Sequence, residues 1–150
     1  MSELNKAAAQ RTFEEIFPAC DVNGLAEVTD PDVVDHGSRP DEPAGLLGAS
    51  QTMLWLGTVF SDQRWEIHHI IGEGDLVAVH ATYHGRHTGD LMGIPPTGRE
   101  IAYDYVHILR FRDGKAIDHW SVRDTGALMQ QLDASPAAPA APATVAAGGR

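Results

Sequence analysis

Cysteine is almost missing from this chain. Cys20 is the one sulfhydryl in 150 residues, which excludes an intramolecular disulfide framework and a thiolate zinc cluster. Basic residues are scarce as well: eleven Lys and Arg stand against twenty-one Asp and Glu, for a formal net charge of −10. A protein that neutralises nucleic-acid phosphates needs a basic face, and so does one held on an anionic membrane surface. Neither nucleic acid nor membrane is an expected partner. No apolar run reaches about eighteen residues, the length that spans a bilayer. The start, Met1-Ser2-Glu3, has neither the basic nor the apolar region of a signal peptide, so the expectation is a cytoplasmic protein.

What is present fits one domain. The chain is 43% hydrophobic, enough for a single core. Residues 134–150 (ASPAAPAAPATVAAGGR) are almost wholly Ala, Pro and Gly, too poor in burial to offset their ordering entropy. They are expected to form a disordered tail behind a folded domain of residues 1–133. A helix is expected after Met1, with Ser2 as cap and Leu4, Ala8, Phe13, Ile16 and Phe17 as its apolar stripe. Asp21–Thr29 reads as a second helix capped by Asp21, and Asp32–His36 as an extended piece. Ala49–Phe60 reads as a third helix with Met53, Leu54, Leu56 and Phe60 inward. Beyond Ser61 the apolar period changes to two. Strands are expected at Trp65–Ile71, Leu76–Gly85, Glu100–Arg112 and Lys115–Arg123, with turns at Gly72–Asp75 and Asp113-Gly114. A last helix follows, capped by Asp124 and running to Leu132. Helices followed by an antiparallel meander make an α+β pattern, and a curved sheet over the helices would enclose a pocket.

All eight histidines fall between His36 and His119. His68 and His69 are expected on alternate faces of their strand. His80, His84 and His87 are close in sequence, but strand rise puts His80 and His84 roughly 13 Å apart, too far to share a metal easily. Alternation in the last hairpin is more informative. Tyr103, Tyr105, His107 and Leu109 share one face and Asp104, Val106, Ile108 and Arg110 the other. On the next strand Ile117, His119, Ser121 and Arg123 oppose Asp118, Trp120 and Val122. A face of two tyrosines, two histidines, a serine and an arginine is either an exposed polar surface or a wetted pocket.

Three blocks of sequence resemble the SnoaL-like polyketide cyclase family of the nuclear transport factor 2-like superfamily, from Asn5 to Leu132. They are Thr12–Phe17 with Pro31–His36, His84–Gly89 with Gly93–Gly98, and Arg110–Lys115 leading into Ile117–Trp120. The resemblance implies a cone-shaped α+β barrel, a curved antiparallel sheet wrapped over N-terminal helices around an apolar pocket. It implies a homodimer or homotetramer packed through the sheet, no metal and no organic cofactor. It also implies a bulky, apolar, polyketide-like substrate.

In the cyclases of that family a carboxylate on the last long strand is the acid–base, beside a histidine on the preceding strand and a polar residue from the extended piece. The histidine corresponds to His107 and the polar residue to Asp35, but the carboxylate position holds Ser121. A serine hydroxyl cannot take a proton from carbon without a neighbouring base, so the role has either moved or been lost. Asp35, raised in pKa by an apolar cavity, is the expected replacement base, with His107 as proton shuttle and His119 as a further catalytic candidate. Phe17, Trp55, Tyr105 and Ser121 are the candidates to bind substrate. The resulting expectation is a cofactor-independent polyketide cyclase of the lyase or isomerase type. Its alternatives are an isomerase, an epoxide hydrolase using Asp35, Arg123 and Asp118, or a non-catalytic binding module.

Overall fold

Ser2–Arg11 forms helix α1, which runs directly into a π-helical turn at Thr12–Ile16 and a short helix α2 at Phe17–Ala19. A π turn holds one residue more than an α turn and so changes the phase between Ala9 and Phe13. Asn5, Ala9, Thr12, Phe13 and Ile16 are buried, whereas Leu4, expected in the stripe, is 72% exposed. Cys20, in a left-handed conformation, closes α2. Asp21 then caps α3 (Val22–Val28) by accepting the Gly24 N–H. The chain continues into β1, Thr29–Asp35. These features are seen in a computed structural model that describes residues 2–133; the tail expected over 134–150 lies outside the described residues.

Helix α4 spans Gly45–Val59, and β2 (Phe60–Glu73) starts at its last turn, five residues earlier than alternation indicated. Met53, Leu56, Val59 and Phe60 are buried, but Leu54 is not. β3 (Leu76–His87), β4 (Glu100–Arg112) and β5 (Lys115–Arg123) complete an antiparallel meander, and α5 (Thr125–Leu132) is capped by Asp124 accepting the Ala127 N–H. The four expected strands pair antiparallel, and the extended piece adds a fifth, β1, parallel to β5, for the order β1-β5-β4-β3-β2.

Two irregularities reset the alternation. Between Ile67 and His69 the β2–β3 register slips by one, so His68 and His69 both face solvent instead of alternating. A second slip after Arg110 sets Ala116, not Ile117, opposite Phe111. Ala116 is therefore core, and Ile117 is only half-buried. The concave face of the sheet carries Trp65, Val77, Val79, Ala81, Tyr83, Tyr103, Leu109 and Phe111, packed on Phe13, Leu56 and Val59 from the helices. The result is the helix-filled, cone-like α+β sheet that the resemblance implied. No helix of the described residues is long and apolar enough to cross a membrane.

Candidate active site

The sheet register assembles the site. β4 places His107 between Val79 of β3 and Ser121 of β5. β5 places His119 two residues before Ser121, on the same inward side. The parallel addition of β1 sets Asp35 directly beside His119, and the His36 N–H donates to the His119 carbonyl at 2.9 Å. Three side chains separated widely in sequence then form a line. His107 Nδ1 lies 2.9 Å from His119 Nε2, and His119 Nδ1 lies 3.5 Å from Asp35 Oδ1. The Gly37 N–H donates to the same oxygen at 3.0 Å and holds the carboxylate in place.

The electrostatics give the line a direction. Burial pushes the Asp35 carboxyl up, but the hydrogen bond and charge of His119, the Gly37 N–H and the charge of Arg123 outweigh it. They hold Asp35 below the usual carboxylate range. This corrects the expectation of a raised, basic Asp35: the group is a stable anion. His107 is driven the other way. Burial, then the charges of His119 and Arg123, push its pKa well below the ordinary value, so the ring is neutral.

In the tautomer that sets an uncharged His119 with its Nδ1–H toward the Asp35 carboxylate, His119 Nε2 accepts from the His107 Nδ1–H. In that tautomer the bare nitrogen is His107 Nε2. It is buried and has no hydrogen-bond partner.

Aromatic rings surround that nitrogen. Phe13, carried inward by the π turn, stacks on His107 with centroids 4.1 Å apart, and Tyr105 stacks at 4.9 Å. Trp65 meets it edge-on at 5.0 Å. Around His107 the apolar centre of the cone is lined by the protein's own rings. Open volume lies to either side. A cleft of about 440 Å³ between the π turn and β2 is lined by Glu14, Pro18, Gln63 and Trp65. A cavity of about 270 Å³ between β1 and α4 reaches Asp35.

Of the residues singled out from sequence, Asp35, His107 and His119 come together. Tyr105 joins them beneath the Arg123 guanidinium, which lies 5.9 Å from its ring. Ser121 is next to His107 across the sheet, and Phe17 contacts Phe13 at 5.9 Å. Trp55 does not join the group: it lies on an outer part of α4, 37% exposed. The indole beside His107 belongs to Trp65, and its signal in the sequence was its inward parity on β2. Asp118 points away from Asp35 and Arg123. It accepts from His36, whose ring stacks on Trp120 on the convex side. The Asp-Arg-Asp arrangement of an epoxide hydrolase is thus not assembled. His80, His84 and His87 do not converge either. His80 meets His69, His84 meets Glu66, and His87 is buried on the concave face against Thr97.

A family model described as SnoaL-like polyketide cyclase matches residues 7–132. The chain is 33% identical to the nogalonic acid methyl ester cyclase of Streptomyces nogalater, over 68% of this chain and 74% of that protein. It is 29% identical to the aklanonic acid methyl ester cyclase AcmA of Streptomyces galilaeus, over 88% of this chain and 92% of that one. Among solved structures, wild-type IdmH from Streptomyces antibioticus aligns with a TM-score of 0.75 at 28% identity, over 85% of this chain and 97% of that one.

Proposed function

Because the chain belongs to the SnoaL-like polyketide cyclase family, we propose that it closes a carbocyclic ring in a polyketide methyl ester, with His107 Nε2 as the proton-transfer atom. The observation that carries this reading is the line Asp35–His119–His107, ending at a bare, buried nitrogen among aromatic rings.

The chemistry is an intramolecular aldol addition. His107 Nε2 takes a proton from a carbon flanked by carbonyls, and the C–H electron pair is left as an enolate. The enolate carbon attacks a second carbonyl of the same molecule. A C–C bond forms, that carbonyl becomes an alkoxide, and the alkoxide recovers the proton from His107. Nothing is consumed or released. Asp35 acts through His119: its fixed negative charge stabilises the imidazolium formed in between and keeps the tautomer of His107 correct. The carboxylate missing at Ser121 is thereby replaced from β1, one strand away. Tyr105, Phe17 and Ser121 border the substrate. The protein acts as a cytoplasmic homodimer, paired through the convex face of the sheet.

Turnover of aklanonic acid methyl ester and nogalonic acid methyl ester, the compounds in the relatives' names, tests the proposal. Positioned acid–base groups contribute about 10²–10⁴-fold, so Asp35→Asn and His107→Gln are each expected to lower kcat by at least about a hundredfold with the fold intact. Near wild-type turnover in Asp35→Asn would show that the carboxylate is structural.

A further inference from the structure

Among the described residues four buried side-chain nitrogens lack a hydrogen-bond partner: Trp65 Nε1, His87 Nε2, His107 Nε2 and Arg110 Nε. Two have local explanations. Arg110 Nε lies 3.8 Å from the Asp118 carboxylate, and His87 sits at the far end of β3, tied to Thr97 through its other nitrogen. The other two belong to rings in contact with each other, His107 and Trp65, with centroids 5.0 Å apart. A buried donor left unpaired costs about 1–3 kcal/mol, and such groups in native folds mark places that something else completes. Trp65 is 5% exposed, yet it also lines the cleft between the π turn and β2. It stands between the open cleft and the catalytic histidine.

We propose that the Trp65 Nε1–H binds a substrate oxygen and stabilises the enolate formed when His107 takes the proton. Indole N–H is a donor only and does not titrate in the working range. Its partner must therefore be an acceptor, and it cannot itself be the base. Of the two unpaired nitrogens, His107 Nε2 is bare and faces the acidic C–H, whereas Trp65 Nε1 carries a proton and faces the adjoining carbonyl oxygen. That oxygen becomes negative as the proton leaves. A fixed donor in a ring-lined, water-poor site acts most strongly on charge that develops there. The Tyr83 hydroxyl does not supply this donor, because it already donates to Gln63. The ligand class assigned to this atom is a carbonyl or enolate oxygen of the polyketide, so the inference rests on the cyclase reading above.

The test pairs kinetics with a direct view of the N–H. Trp65→Phe keeps an aromatic ring and removes the donor. Loss of one such donor typically lowers kcat by on the order of a hundredfold, and the expected result is a loss of that order with KM little changed. In the uniformly ¹⁵N-labelled wild type, the Trp65 indole signal should move downfield on adding aklanonic acid methyl ester, while Trp55 and Trp120, both away from the site, should not move. An indole signal that stays in place in the ligand-bound protein would overturn the proposal, even if Trp65→Phe fails to fold. Turnover within twofold of wild type in Trp65→Phe would do the same. Binding with the indole shift but without turnover would keep Trp65 as the oxygen-binding group and remove the cyclase reading. A wild type that neither binds nor converts either ester would overturn both.

Discussion

A histidine ring has two nitrogens, and whatever binds one decides the state of the other. In this protein the consequence travels through two rings. A depressed carboxyl at Asp35 orders His119, His119 orders His107, and the last nitrogen is left as an acceptor with nothing to accept. The arrangement also makes a pH prediction. In the unfolded chain His107 takes up a proton near its ordinary value of 6.5, while in the folded protein it resists protonation to well below that. Below about pH 6.5 the unfolded state binds more protons, so stability rises with pH there and is lost as the pH falls. Asp35, depressed in the fold, adds stability that is complete above its ordinary value near 3.8 and lost only at more acid pH. Thermal unfolding between pH 7.5 and 5 should therefore show a Tm that falls with acidification in the wild type and less steeply in His107→Gln. Parallel curves would place the titrating group elsewhere.

Elements matter here through their irregularities. A π turn at Thr12–Ile16 carries Phe13 over His107, a bulge turns His68 and His69 to one face, and a parallel edge strand brings Asp35 to His119. That edge strand is braced from behind by α4. Gly45, its first residue, has φ +71°, and a Cβ there would lie 2.4 Å from the Pro31 carbonyl oxygen on β1. Gly74 has a similar φ of +61° but faces open space. Gly74→Ala should cost about 1–2 kcal/mol, the left-handed penalty alone. Gly45→Ala adds the clash and should lower the denaturant midpoint clearly further, together with turnover, because β1 must shift and takes Asp35 with it. Equal midpoints for the two variants would mean that β1 yields without cost.

At the scale of the whole molecule, the convex face of the sheet presents apolar surface. Val106 and Ile108 are each 38% exposed and Val122 75%, beside Trp120 and a row of exposed histidines. Contiguous exposed apolar surface of this kind favours a symmetric partner. Light scattering at micromolar concentration should give a dimer, and the double variant Ile108→Arg, Val122→Arg should give a folded monomer. A wild-type monomer would leave the convex face as free surface.

Much of this protein could be read from its sequence. The bounds of β4 and β5, the caps Asp21 and Asp124, and the sharing of one face by Tyr103, Tyr105 and His107 follow from local preferences and the period of two, which act within a few residues. The motif blocks around Pro31–His36 and Ile117–Trp120 carried the family. Other features depended on contacts between segments far apart. Local pattern does not show that β1 pairs parallel with β5, so it predicts apolar surroundings for Asp35 where the fold places His119, Gly37 and the charge of Arg123. Nor could it place Trp65 in the site and Trp55 outside it, since both are tryptophans in apolar stretches and only the packed core distinguishes them. Register slips at Ile67–His69 and Arg110–Phe111 likewise arise from fitting one strand to the next. The sequence by itself determined the elements and the family; the tertiary structure decided which side chains meet, because a pKa and a hydrogen-bond partner are properties of the surroundings of a residue and not of the residue.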